Sequence, residues 1–309
     1  MKICKIMCIF AICLGAFALT SCTDSQKYTY HPKDRDELVE LVRDESIKLN
    51  EIDTSAITDM SYLFAHFSTE ECHDVFAEFF KHIESFVILA IEEQAAQKGE
   101  SYAPTDTDRE NIKNNFIAQW ETRKQKCIYN ARERIDFSGI DSWDTSKVKD
   151  MSYMFGGVEE FNQPLNTWNV SSVQNMNGIF IGTAFNQPLD AWDTSNVEDM
   201  GAMFGKSAFN QPLNTWNVSK VKNMTLMFYE STHFNQPLND WDISQVVDMN
   251  FMFQNAKSFK QNLESWGQRL NPQVQTHLMF KDSLLESNPP KWYKELDFKI
   301  TRFHKQIME

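Results

Sequence analysis

Apolar residues recur along this chain with a fixed beat. In the stretch 161–180, FNQPLNTWNVSSVQNMNGIF, they fall at Phe161, Leu165, Trp168, Val170, Val173, Met176, Ile179 and Phe180, with polar residues between them. The same spacing returns at 185–204, 209–228 and 234–253, and a weaker copy opens at Phe259. The leading Phe positions lie 24 or 25 residues apart. A period of that size marks a stacked-repeat architecture, in which no unit buries its apolar face alone. Phe to Trp is always seven residues and Trp to Met eight, whereas the second Phe to the next repeat is five or six. That variable stretch reads as the surface loop, because connections tolerate length change and packed elements do not.

Within one unit, Trp168 and Val170 are two apart, which puts both on one face of a strand and sends Thr167 and Asn169 to the other. Ser171 then offers an N-cap, and Val173, Met176, Ile179 and Phe180 follow at helical spacing. The predicted unit is a short strand, a corner, about two helical turns and a loop. Gly178 and Gly201 fall inside those turns, where Gly costs about 1 kcal/mol relative to Ala.

The Leu165-x-x-Trp168-x-Val170 pattern is similar to the strand signature of leucine-rich repeats. The FNQPL element, the Trp-Asp/Asn-x-Ser element and the Met-x-x-Met-Phe element together resemble BspA-type leucine-rich-repeat surface lipoproteins, over 137–266 and 49–64. The resemblance implies a solenoid used for binding at a bacterial surface, and it implies no chemistry. The expected fold is therefore α/β: a right-handed leucine-rich-repeat-like solenoid of about seven rungs, each a short parallel strand plus a short helix, with an inserted α-helical hairpin.

The chain divides accordingly. Lys2 and Lys5, the apolar run Ile6 to Leu19 and the ending Leu19-Thr20-Ser21-Cys22 make 1–22 a signal segment, too short to span a bilayer comfortably. The ending resembles a lipobox, which makes Cys22 the lipidated (palmitate-bearing) mature N-terminus. Residues 23–48 read as a polar tether and an N-terminal cap helix, with Leu38, Val39, Leu41 and Val42 on one side. Residues 49–64 form the first rung, with Ile52 in the Trp position and Met60 eight residues later. The remaining rungs occupy 137–280 and a C-terminal cap 281–309. Between them, 65–136 is an insertion with capping boxes at Ser68 to Glu71 and Thr107 to Glu110. Each box precedes an apolar stripe, Val75, Phe79, Phe86 and Leu89, then Ile112, Phe116 and Trp120.

Charge narrows the function. The formal net charge is −13, and loss of Lys2 and Lys5 with the signal takes it to about −15. Nucleic-acid phosphates need clustered Lys and Arg, so a nucleic-acid partner is excluded, and membrane contact is expected through the lipid anchor only. Of six cysteines, Cys4, Cys8 and Cys13 leave with the signal and Cys22 takes lipid, which leaves Cys72 and Cys127 as a candidate disulfide. No nucleophile elbow, phosphate loop, zinc-protease motif or Cys-x-x-Cys pair is present, so no enzyme activity and no cofactor is expected. His66, Cys72, His73 and His82 lie close in sequence but read as core or solvated residues, and no metal site is assigned to them.

The outward positions form columns. One runs Asp53, Asp144, Asn169, Asp193, Asn217, Asp242, with acid and amide alternating from Asp144 onward. The residue before each Met keeps the same beat, so the true unit is a double repeat of 48 to 50 residues. Interleaved amides hold like charges apart. These side chains read either as a polar recognition face or as local turn partners. The candidate binding residues are Thr167, Asn169, Asp193, Thr215, Asn217 and Asp242. The Asn162, Asn186, Asn210, Asn235 column reads as structural, its amides bonding turn backbone from rung to rung. The function expected is an exported, membrane-anchored lipoprotein at the cell surface or outer membrane. It would present its repeats to an unknown protein partner, with adhesion among the implied uses. The rivals are a periplasm-facing assembly or inhibitory lipoprotein, and an enzyme with a site between insertion and solenoid.

Overall fold

The computed structural model describes residues 28–67 and 134–296, and between them residues 105, 107, 109–114, 117 and 118. The chain winds into a stack of coils. Parallel bridges join Asp59, Asp150, Asn175, Asp199, Asn223, Asp248 and Gln275 in sequence, one residue from each of seven rungs. Rungs one and two touch directly across the insertion: Tyr62 N–H donates to Ser152 O at 2.8 Å and Phe64 N–H to Met154 O at 2.9 Å. Of the insertion itself, the described residues 107, 109–114, 117 and 118 are helical, and the expected hairpin otherwise lies outside the described residues.

The expected α/β leucine-rich-repeat solenoid is corrected here. Among the described residues there is no β-strand, and the stretch after each Ser is a run of tight turns rather than a helix. The hydrogen bonds give the reason. Within one rung, Met203 N–H donates to Met200 O at 3.3 Å and Gly205 N–H to Ala202 O at 3.0 Å. The intervening amides leave the rung: Met200, Ala202, Phe204 and Lys206 donate to Asn223, Thr225, Met227 and Tyr229 at 2.7–3.0 Å. A helix needs every amide for its own i−4 carbonyl and a strand needs none for itself. Here successive amides alternate between their own turn and the next coil, so neither element forms.

That alternation bends the backbone into the left-handed region at two places per rung. One column is Tyr62, Tyr153, Gly178, Ala202, Leu226, Phe251 and Leu278, at φ 51–61°. The other, four residues on, is Gly157, Gly182, Lys206, Glu230, Asn255 and Asp282, at φ 54–74°. Such a φ costs a non-Gly residue roughly 1 kcal/mol or more, and it persists because the inter-rung bonds fix it. Gly178 is needed for another reason as well. A Cβ there would lie 2.5 Å from the Tyr153 ring. It belongs to a turn, so the mid-helix penalty expected from its sequence context does not arise.

The core consists of continuous columns. Phe155 and Phe161 stack with centroids 3.8 Å apart, and the pairs Phe180–Phe185, Phe204–Phe209, Phe228–Phe234 and Phe253–Phe259 repeat this at 3.9–4.1 Å. The Trp column does more than fill space. The indole Nε1–H of Trp143, Trp168, Trp192, Trp216, Trp241, Trp266 and Trp292 donates to the carbonyl of Leu49, Ile140, Leu165, Leu189, Leu213, Leu238 and Leu263 at 2.8–3.0 Å. Each of those carbonyls also closes a turn in its own rung, as Leu189 O does with Trp192 N–H at 3.1 Å. Both lone pairs are thus used, and a buried indole finds the partner it requires. Where strands were expected, the coils are therefore joined through side chains: these indoles, and Thr54, Thr145 and Thr194, whose hydroxyls reach Asp144 O, Asn169 O and Asn217 O.

The Asn column works as the sequence suggests. Asn162, Asn186, Asn210 and Asn235 each accept, through Oδ1, the backbone N–H of the following rung at 2.9–3.0 Å. The ends are closed. Helix α1 (Arg35–Val42), N-capped by Asp34, buries Leu38, Val39 and Val42 against rung one. Arg134, where the chain returns from the insertion, donates to Val42 O, Asp44 O, Ile47 O and Asp136 O at 2.7–3.3 Å and so ties α1 down. At the other end Trp292 covers the last rung. Among the described residues no helix is long and apolar enough to cross a membrane.

Candidate functional site

The outward column is built by one local device. Asp53, Asp144, Asn169, Asp193, Asn217 and Asp242 each accept, through Oδ1, the N–H of the Ser two residues on, at 2.9–3.1 Å. An Asx turn of this kind satisfies a corner amide and fixes the side chain in one orientation. In the two amide rungs the Ser hydroxyl adds a second bond at 2.7 Å, Ser171 to Asn169 and Ser219 to Asn217. The turn-partner reading is thus correct for every member. The same residues stay at the surface: Asp144, Asn169, Asp193, Asn217 and Asp242 are exposed and Asp53 is half-buried.

Rung stacking brings Asn169, Asp193, Asn217 and Asp242 into one row. Thr167 and Thr215 lie along the same edge, both exposed, with Ala191 between them in the intervening rung. The Thr167 hydroxyl is engaged with Asp141 O at 3.1 Å. Ser195, through its hydroxyl and its backbone N–H, holds the Asp193 carboxyl below the ordinary carboxylate range, with Lys220 adding to the effect. The row therefore carries fixed negative charge at neutral pH, interrupted by fixed amides.

A second edge was not singled out from the sequence. The tetrapeptide Ser-Lys-Val-Lys occurs twice, at 146–149 and 219–222, and puts Lys147, Lys149, Lys220 and Lys222 on the surface beside the column. Lys220 donates to Asn196 and Lys222 to Glu198, both at 2.6 Å. The Lys222 hydrogen bond, then its charge, lowers the Glu198 pKa. The duplicated tetrapeptide is the signal that would have found this edge.

Among the described residues no group of three or more His, Cys, Asp or Glu side chains could hold a metal ion. His66 is half-buried, while Cys22, Cys72, His73, His82 and Cys127 lie outside the described residues. The candidate lipidation and the candidate disulfide therefore lie outside the described residues.

A family model described as "Mycoplasma protein of unknown function, DUF285" matches residues 122–207 and again 183–292, together more than half of the chain. The match is compatible with the BspA-type resemblance of the repeats. No curated protein and no solved structure matches.

Proposed function

The chain belongs to the DUF285 family, and on that premise we propose that it is an exported protein, held to a membrane by lipid on Cys22, whose repeat stack binds a protein partner. The supporting observation is the row Asn169, Asp193, Asn217, Asp242, in which each side chain is exposed and already fixed by its Asx turn. Side chains ordered beforehand lose little entropy on association, so a shallow polar row becomes a usable recognition surface. Carboxylate and amide alternate with a two-rung period, roughly 10 Å at the usual inter-strand spacing. The partner chemistry that fits is an extended segment carrying basic groups at that interval.

The test exploits the turn. Asn occupies the same position with the same geometry in alternate rungs, so Asp193→Asn and Asp242→Asn remove charge without removing the Asx bond. The folded chain lacking residues 1–21 is screened against extracellular proteins, and the double variant is titrated against any partner found. Binding weakened by about tenfold or more supports the reading. Unchanged binding moves the site off this row. Protease treatment of intact cells tests the location. Cleavage only after the envelope is broken would favour the periplasm-facing alternative.

A further inference from the structure

The asparagines of the outward column carry a second chemistry. Three Asn-x-Ser/Thr triplets occur in the chain: Asn169-Val170-Ser171, Asn217-Val218-Ser219 and Asn223-Met224-Thr225. That triplet is the acceptor pattern for attaching a sugar to the asparagine amide of an exported protein, though it is short enough to arise by chance. Geometry separates the three.

Asn169 and Asn217 are held alike. Each Oδ1 accepts the N–H of the Ser two residues on at 3.1 Å, and that Ser hydroxyl donates to the same oxygen at 2.7 Å. Two donors on one arm identify it as the amide oxygen. Nδ2 is the other arm, turned away from the corner. It has no acceptor among the described residues, and both side chains are exposed. Asn223 forms the same turn, its Oδ1 accepting the Thr225 N–H at 2.9 Å. Its Nδ2, however, donates to Asp199 Oδ1 at 2.9 Å, and the residue is half-buried. The Asp rungs supply the counterpart. Asp144, Asp193 and Asp242 hold the same turn with Ser at 2.9–3.1 Å and offer a carboxylate instead of an amide. Along this row, only alternate rungs present an acceptor.

We propose that Asn169 and Asn217 are N-glycosylation sites and that Asn223 is not. The donor class is a sugar activated as a diphosphate ester. The bond from Nδ2 to the sugar C1 forms as the bond from C1 to the diphosphate oxygen breaks. The diphosphate leaves with that electron pair, and one amide proton passes to a base of the transferase. The sugars then stand two rungs apart on the row, with the Asp193 carboxylate between them. The inference goes beyond the binding row and rests only on the reading that the chain is exported.

The test is peptide mapping by mass spectrometry of the full chain purified from its own cells. Trypsin cuts after Lys220 and Lys222 and so separates Asn217 from Asn223. Peptides bearing Asn169 and Asn217 should carry the added mass of sugar, removable by a glycosidase that cleaves the amide bond and leaves Asp. The peptide bearing Asn223 should carry none. Asn169→Asp and Asn217→Asp keep the turn, as the Asp rungs show, and each should lose the sugar at its own site alone. Asp193→Asn completes a further triplet with Thr194 and Ser195 in the same turn and should gain a sugar. Tryptophan emission reports that each variant is folded. Unmodified Asn169 and Asn217 on a chain recovered outside the cytoplasm would overturn this proposal and leave the export reading standing. Sugar on Asn223 as fully as on Asn217 would overturn the selection by geometry. A chain confined to the cytoplasm fails the export reading, and this proposal with it.

Discussion

Replacing Trp216 separates the two jobs of the indole column. The side chain is 4 % exposed, its ring lies 6.3 Å from that of Trp192, and its Nε1–H donates to Leu189 O at 3.0 Å. Trp216→Ala removes ring and donor together and should cost about 3–5 kcal/mol, the usual range for a buried aromatic. Trp216→Phe keeps an aromatic ring and loses the donor. Leu189 O retains the Trp192 N–H, so its loss is one net hydrogen bond, about 0.5–1.5 kcal/mol, rather than an orphaned carbonyl. The missing half of the indole leaves a void that adds roughly 1 kcal/mol, which puts Trp216→Phe at about 2 kcal/mol. The assay is urea denaturation followed by far-ultraviolet circular dichroism. The slope matters as much as the midpoint: a reduced slope would show that the stack has split into separately melting halves. A cost below about 0.5 kcal/mol for Trp216→Phe would refute the structural role of the indole bond. A cost below about 1 kcal/mol for Trp216→Ala would refute the buried column itself.

Gly201→Ala should destabilise by several times the few tenths expected of a surface site, because a Cβ there would lie 2.5 Å from Asn177 Nδ2 and 2.8 Å from Asn223 Nδ2; urea midpoints decide it. Arg134→Met keeps the bulk but strips Val42 O, Asp44 O, Ile47 O and Asp136 O of their donor, and should cost about 3 kcal/mol with hydrogen exchange in α1 accelerating first. The Asp193 carboxyl titrates below its ordinary 3.8, so its contribution to stability is present above that value and is lost as pH falls through the lower folded pKa. Asp193→Asn should therefore leave the neutral-pH midpoint nearly unchanged and flatten its decline in acid. Cys22→Ser should release the protein from the membrane fraction, and a variant that still sediments with membrane after alkaline wash would sink the lipid-anchor reading.

The core columns were legible because burial sets the spacing. Phe161, Leu165, Trp168, Val173 and Met176 lie inside in every copy, whatever the backbone does between them. The backbone was not legible for the same reason. Val173, Met176 and Ile179 are three apart, which suits a helix, but it suits equally a chain of i→i+3 turns whose intervening amides point to the next coil. The turn signal was hidden because Tyr153, Ala202, Leu226 and Phe251 occupy left-handed positions where Gly would have announced them; only Gly178 in that column did so. Gly201, by contrast, is there for two close amides, and neither partner is near it in sequence. On the candidate site, the alternation of acid and amide was visible, but its cause was only half seen. Asn175 donates to Asp150 at 3.3 Å and Asn223 to Asp199 at 2.9 Å, so the column before each Met is held by attraction as well as relieved of repulsion.

That pairing gives the molecule a parity. Within 150–248, deleting an amide rung or duplicating a carboxylate rung would set carboxylate beside carboxylate, and the converse changes would set amide beside amide, while duplicating or deleting two neighbouring rungs would leave the alternation unchanged. A change of length by one double repeat of 48 to 50 residues would therefore preserve the pairing, whereas a change by a single rung would break it. The rule is broken once among the bridged carboxylates, where Asp59 stands next to Asp150. That junction is also where residues 65–136 interrupt the repeats, so the beat is broken where the sequence spacing between rungs is longest.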